Sequence, residues 1–289
     1  MAQAQYQLRE ATAYTQIRVE PLTGMIGAEI HDIDLRNNLS DAVMAEVERA
    51  LLEWRVIFFR EQDISTDDHL RFARWFGTLE VHPFAPHKPD YPEVLAITHD
   101  EQSPGRENLW HSDVTWRLQP SLGSVLRAIE VPPYGGDTLF SDMNAAYERL
   151  SDDVKAKIDG ARAVHDFGGF RRRLIKEGAS PEEIEAFNAK YPNPSHPVVR
   201  THPATGERSL YVNRAFTQYI EGMPREDSDA LLQTLYAQAA TPEYQCRFRW
   251  AKNSIAFWDN RAVQHYAAAD YWPARRQVER VTICGDTPV

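Results

Sequence analysis

The chain has 289 residues, 43% of them hydrophobic and 11% aromatic, which is apolar surface enough for a large folded core and excludes a disordered chain. Its formal net charge is -10, and no basic run exceeds Arg171-Arg172-Arg173, so the electrostatic footprint of a nucleic-acid binder is missing. Two cysteines in separate segments, Cys246 and Cys284, exclude a disulfide framework and read as buried free thiols in a reducing compartment. No signal-peptide core and no apolar run of membrane-spanning length occurs, which points to the cytoplasm and away from a membrane partner.

A polar start, residues 1–15, is expected to be poorly ordered. Short strands follow at Ile17 to Val19 and Gly27 to Ile30. Ser40 can cap a helix whose Val43, Met44, Val47, Leu51 and Trp54 recur at helical spacing. Val56 to Phe59 suits a strand buried on both faces, and a second helix is predicted from Thr66 to Phe76, with Gly77 as its stop. Strands at Val94 to Thr98 and Ser124 to Val131 bracket a polar loop and the Asn108 to Trp116 segment, and Pro132 to Gly136 turns the chain into a further strand to Ser141. The middle, about residues 144–192, reads as a helical insertion, with a capping box at Ser180 and Glu183 around Pro181. Strands return at Pro197 to His202 and Ser209 to Val212. A helix is predicted from Glu226 to Ala239, and Gln245 to Trp250, Ile255 to Trp258 and Gln277 to Cys284 complete the strand set. No repeat or flexible linker divides the chain, so residues 1–289 read as a single domain with a mainly β core and flanking helices, an α+β arrangement.

The segment Asn108 to Trp116 contains His111 and Asp113, two residues apart among strand-forming Val, Thr and Trp, so both side chains are expected on one face of an extended backbone. An imidazole, a carboxylate and a second, distant His make the facial triad that holds non-haem Fe(II) with positions left open. With 10 His and 42 acidic residues, about one or two His-x-Asp/Glu triplets arise by chance, and the chain has two. The other, His99 and Glu101, lies in a turn-rich polar run that reads as a solvated loop. His165 with Asp166, His196 and His202 read as hydrogen-bonded strand histidines rather than a second metal site. Near the C-terminus Arg276 and Arg280 share one strand face, at most ~13 Å apart, and two inward cations call for anions. Alone, either arginine is equally well a solvated strand-edge cation, and Thr138 a strand hydroxyl.

Taken together, Trp110 to Thr115, Gly135 to Leu139, His196 to Pro203, Trp258 to Arg261, Gln264 to Ala267, and Arg275-Arg276 followed by Arg280 give the chain a resemblance, from about residue 17 to 287, to the taurine dioxygenase family of Fe(II)/2-oxoglutarate oxygenases. The resemblance implies a double-stranded β-helix, or jelly roll, with Fe(II), 2-oxoglutarate and O2 as cofactors and a homo-oligomer, dimer or tetramer. By it His111, Asp113 and His265 are the iron ligands, Thr138 and Arg276 hold the distal carboxylate of 2-oxoglutarate, and His82 and Arg280 meet the substrate's sulfonate or similar anion. Asn108 and Phe216 are carried over as substrate contacts, Asn108 with its offset from His111 changed by one residue. The reaction implied is hydroxylation of a small anionic substrate beside its anionic group, an alkyl sulfonate or sulfate, releasing sulfite or sulfate and an aldehyde. A carboxylated substrate is the alternative, and a non-enzymatic barrel binding a small ligand is the third reading. Two departures bear on the substrate: Ala85, after Phe84, stands where sulfonate-binding members have Tyr, and Asp166 to Arg171 changes a wall that members line with an aromatic residue. A bulkier substrate than taurine is therefore expected.

Overall fold

The computed structural model describes residues 8–9, 12–84 and 86–289. Its core is two antiparallel-rich sheets laid face to face. The larger has eight strands in the order Arg18–Pro21, Ala28–His31, Val56–Phe59, Ile255–Asp259, Ser121–Glu130, Arg276–Cys284, Tyr91–His99 and His87–Lys88. The smaller has three, Gln245–Phe248, Thr138–Asp142 and Val263–Ala267. Phe58, Leu126, Phe140, Phe248, Ala256, Trp258, Val263 and Val278 fill the space between them. The two sheets keep separate ladders among the described residues, with no barrel closure between them. Aromatic rings as large as Phe58, Phe140, Phe248 and Trp258 hold facing sheets roughly 10 Å apart, beyond hydrogen-bonding reach of the two backbones.

Local signals place most of the outer elements. Ser40 caps the helix Asp41–Trp54 by accepting from the Val43 amide, and Met44, Val47, Leu51 and Trp54 are buried on the large sheet's outer face. The helix Thr66–Arg74 begins at a capping box of Ser65 and Asp68 and buries Leu70, Phe72 and Ala73. Val56–Phe59 is buried at all four positions, as a strand covered on both faces must be. Part of the segment expected to fray is tied down: Tyr14 donates to Glu53 at 2.6 Å and the Thr15 to Ile17 amides converge on Glu46. Residues 1–7, 10 and 11 lie outside the described residues.

The middle of the chain departs from an all-helical insertion. Helices Met143–Glu148, Asp152–Ile158, Gly168–Lys176 and Pro181–Lys190 are joined by a strand, Arg162–His165, which pairs with Thr217–Ile220 and Ser195–Pro197 in a separate three-stranded sheet. Four residues with only Val164 as a strong strand former leave too little periodicity to read, and the pairing that makes it a strand comes from more than thirty residues away. Cys246 is buried as expected, but Cys284 is exposed because it ends its strand at the sheet's margin. Among the described residues no helix is long and apolar enough to cross a membrane.

Candidate active site

A pair of backbone hydrogen bonds builds the centre of the site. The His111 amide donates to the His265 carbonyl at 3.1 Å and the His265 amide donates back to His111 at 2.8 Å. Directly opposed residues of an antiparallel pair project to one face, so two imidazoles that are 154 positions apart in sequence stand with ring centroids 4.2 Å apart. His265 itself belongs to the small-sheet strand Val263–Ala267, an element not anticipated from the sequence because its five residues mix polar and apolar groups without clean alternation.

Asp113 joins them by a turn rather than by a strand. Extended pairing stops at His111, and Asp113 to Trp116 form a turn with Val114 at φ 48°, the left-handed region that a β-branched residue seldom enters. What holds that conformation is Asn260, whose Oδ1 accepts from the Asp113 amide at 2.6 Å while its Nδ2 donates to the Asp113 carbonyl at 3.0 Å and to Ser121. Asn260 sits where the chain crosses from the large-sheet strand Ile255–Asp259 to the small-sheet strand Val263–Ala267. Next to it Asp259 accepts from Arg261 and faces His202 across 2.9 Å, which fixes the crossing. We expect Asn260→Ala to cost roughly 2–4 kcal/mol, because it strands two buried backbone groups of Asp113; a urea midpoint unchanged from wild type would contradict this.

Asp113 Oδ1 lies 3.9 Å from both His111 Nε2 and His265 Nε2, and one donor atom from each residue falls within 4.8 Å of the others. Two metal–nitrogen or metal–oxygen bonds span at most roughly 4.2 Å, so the two 3.9 Å separations are within one ion's reach and small side-chain rotations would bring all three donors onto it. The donor chemistry also fits. His111 Nδ1 lies 2.7 Å from the Leu109 carbonyl, which takes the ring proton and leaves Nε2 as a lone-pair donor. Asp113 Oδ2 accepts from Ser124 at 3.2 Å, and Oδ1, the oxygen that faces both imidazoles, also accepts from Arg280 at 2.9 Å. Despite the cost of burial, the Arg280 guanidinium holds the Asp113 carboxyl well below the usual range, so it is ionised; burial above all pulls His265 down to about 3, so it is neutral. A charged carboxylate beside imidazoles that can each turn an unprotonated nitrogen inward is what a divalent ion requires.

A cavity opens beside this cluster, lined by Thr138, Arg276, Arg280, Leu126, Trp258 and Val278 among others. Arg276 is buried and among the described residues has no carboxylate within ion-pair distance, and its Nε lacks a hydrogen-bond partner. Burial lowers its pKa, yet a guanidinium stays charged. Its stem passes Gly136, where an added Cβ would lie 3.3 Å from Arg276 Cδ and 3.1 Å from Tyr271, and the glycine's φ of +70° is a second reason for that residue. Thr138 Oγ1 accepts from Trp250 Nε1 at 3.0 Å, so its own proton remains to be donated into the cavity. Arg280, one face with Arg276 on the strand Arg276–Cys284, donates to Asp113 Oδ1 at 2.9 Å.

The other predicted positions divide. His82 accepts at Nδ1 from the Phe84 amide, which places its proton on Nε2; burial first, then the Arg280 charge, pull its pKa down to about 4. The Phe216 ring centroid is 6.5 Å from that of His111, the first step of an aromatic wall that runs through Phe167, Trp116 and Phe84 to Tyr191. Trp116 and Phe167 are stacked at 4.5 Å. Asn108 is exposed on its loop and is not among the residues lining the cavity. Ala85 lies outside the described residues. His99 pairs with Glu107 rather than Glu101, and both line the cavity, so neither belongs to a purely solvated loop. His165 and His196 converge on Thr115 and the backbone beside it, as hydrogen-bonded structural histidines.

Comparison with known proteins agrees with this geometry. A family model described as "Taurine catabolism dioxygenase TauD, TfdA family" matches residues 18–282. An alkylsulfatase of Acinetobacter baylyi is 34% identical over 94% of this chain and 86% of its own length. An alpha-ketoglutarate-dependent sulfate ester dioxygenase of Pseudomonas putida is 35% identical, with 95% and 91% covered. The crystal structure of a taurine dioxygenase from Burkholderia xenovorans superposes with a TM-score of 0.81 at 40% identity, covering 95% of this chain and 91% of that one.

Proposed function

The chain belongs to the taurine catabolism dioxygenase TauD, TfdA family and is an Fe(II)- and 2-oxoglutarate-dependent dioxygenase, and on that premise we propose that it hydroxylates an alkyl sulfate ester or alkyl sulfonate with an apolar chain bulkier than that of taurine. In this reading His111, Asp113 and His265 hold the iron, Arg276 and Thr138 take the distal carboxylate of 2-oxoglutarate, and the two facing sheets are a double-stranded β-helix forming one catalytic domain. The observation that carries it is Arg276: a buried guanidinium with no carboxylate within ion-pair distance among the described residues, beside a threonine proton, in a cavity that opens on the three-ligand cluster.

Bound iron supplies oxygen activation and the oxidative decarboxylation of 2-oxoglutarate to succinate and carbon dioxide. Everything else is the work of side chains. The guanidinium fork of Arg276 fits a carboxylate in two parallel hydrogen bonds, and Thr138 adds a third donor. Trp258 and Phe140, with ring centroids 4.8 and 6.1 Å from that of His265, keep that side of the centre dry. The Nε2 proton of His82 and the remaining donors of Arg280 make a binding place for a sulfate or sulfonate, which positions the carbon next to the anionic group. Hydroxylation at that carbon leaves a hemiacetal-like sulfate or an α-hydroxysulfonate. Its C–O or C–S bond then breaks, the hydroxyl oxygen becomes the aldehyde oxygen, and sulfate or sulfite departs.

Support for bulk comes from the aromatic wall. Phe216, Phe167 and Phe84 carry no side-chain polar group for a zwitterion as short as taurine but give an alkyl or aryl chain apolar rings to pack on, with Trp116 buried behind them. Each buried methylene is worth about 0.8 kcal/mol, so two suffice for the expected preference of at least ~tenfold in kcat/KM over taurine. Release of sulfate, sulfite and succinate across a chain-length series of both classes measures it. Taurine as the best substrate would refute the bulk argument, and a carboxylate outperforming both classes would replace the anion proposed.

A further inference from the structure

We propose that His99 and Glu107 form a charge-balanced pair at the rim of the 2-oxoglutarate pocket, in which His99 is a positioning residue that cancels the Glu107 carboxylate so that Arg276 is left to the distal carboxylate of the co-substrate. The proposal rests on the reading of Arg276 given above.

His99 and Arg276 are direct partners across the antiparallel pairing of Tyr91–His99 with Arg276–Cys284. Past His99 the chain loops out and returns, and Glu107 comes back to the same cavity that Arg276 lines. The loop is fastened to that neighbourhood: the Ala267 amide donates to the Glu107 carbonyl at 3.3 Å, and an added Cβ on Gly105 would lie 2.8 Å from the Tyr271 hydroxyl. A carboxylate facing the path of an incoming dianion is unfavourable by itself, and its charge also acts on Arg276 from across the pocket.

His99 resolves this by geometry. Its Nε2 is 3.1 Å from Glu107 Oε2 and its Nδ1 is 3.2 Å from the Ser103 carbonyl. Both partners are acceptors, so both ring nitrogens must donate, and only the imidazolium can do so. The hydrogen bond to Glu107 raises the His99 pKa, and the same bond lowers that of the half-exposed Glu107 carboxyl. The rim therefore carries one positive and one negative charge side by side, and among the described residues that line the cavity the uncompensated cation is Arg276.

The pair predicts opposite effects for its two members, which a merely structural contact does not. In the full-length protein loaded with Mn(II), which binds the co-substrate without turnover, calorimetry gives the 2-oxoglutarate Kd, with 2-oxobutyrate as the analogue lacking the distal carboxylate. His99→Gln should weaken 2-oxoglutarate by about three- to tenfold, the scale of one partly screened charge, and leave 2-oxobutyrate unmoved. Glu107→Gln should leave 2-oxoglutarate binding equal or tighter, and the double variant should return to within about twofold of wild type. Equal weakening by both single variants, an equal loss for 2-oxobutyrate, or no change in either variant would overturn the proposal while leaving Arg276 in place. Wild type failing to bind 2-oxoglutarate at all would overturn the reading of Arg276 with it.

Discussion

His265→Ala, and separately His111→Ala, are expected to remove Fe(II)-dependent succinate formation to below detection in a protein that still folds. Partners that merely orient a metal ligand typically contribute 10- to 100-fold in affinity, and loss of the ligand itself costs roughly 100-fold or more. The fold has reason to survive, because what pairs the two residues is backbone: the reciprocal amide–carbonyl bonds of His111 and His265 do not involve either imidazole. Removing His265 also relieves a group that burial holds neutral, with a pKa near 3, at a cost to stability in acid. Its folded-state pKa is below the unfolded one, so the unfolded chain takes up the extra proton and the penalty grows as pH falls through about 6.5. Metal affinity followed by calorimetry, with circular dichroism on the same samples, separates a lost ligand from a lost fold. Either variant retaining full activity after metal reconstitution would remove that residue from the ligand set.

Residue types and spacing were legible where the information is local. Ser40 and Ser180 announce helix starts because a cap is made within four residues, and Val56 to Phe59 announces a doubly covered strand because all four side chains are apolar. The His111 and Asp113 pair was legible as chemistry but not as conformation. Extended structure ends at His111, and the turn that presents Asp113 depends on Asn260, 147 positions away, whose amide satisfies both backbone groups of the aspartate. Nothing in the Val, Thr and Trp that follow hints at a left-handed residue at Val114, since local propensity there favours a strand and a tertiary contact overrides it. Asn260 was visible only as part of a family motif, with no role attached. His99, read with Glu101 as part of a solvated loop, instead ends the strand Tyr91–His99 and meets Glu107, which the loop brings back to it.

Arg276→Ala is expected to raise the 2-oxoglutarate requirement by between ~30-fold and several thousand-fold, the range for truncating one partner of a desolvated charge pair at roughly 2–5 kcal/mol. Arg276→Lys should recover part of this, because an ammonium supplies the charge without the planar fork. Stability should move the other way. A buried guanidinium without a carboxylate partner costs the folded chain more than it returns, so without ligand Arg276→Ala should melt at or above the wild-type temperature. In wild type the co-substrate should raise the melting temperature through binding to the folded state, a gain that grows with ligand concentration relative to Kd; the Ala variant should lose that rise. Such a pattern, a cation that weakens the empty protein and is answered only by ligand, distinguishes a binding residue from a structural one. Overlapping 2-oxoglutarate titrations for Arg276→Ala and wild type would assign the distal carboxylate to another group, and a destabilised variant with unchanged titration would make Arg276 a packing residue through its contact with the Trp250 ring at 5.7 Å.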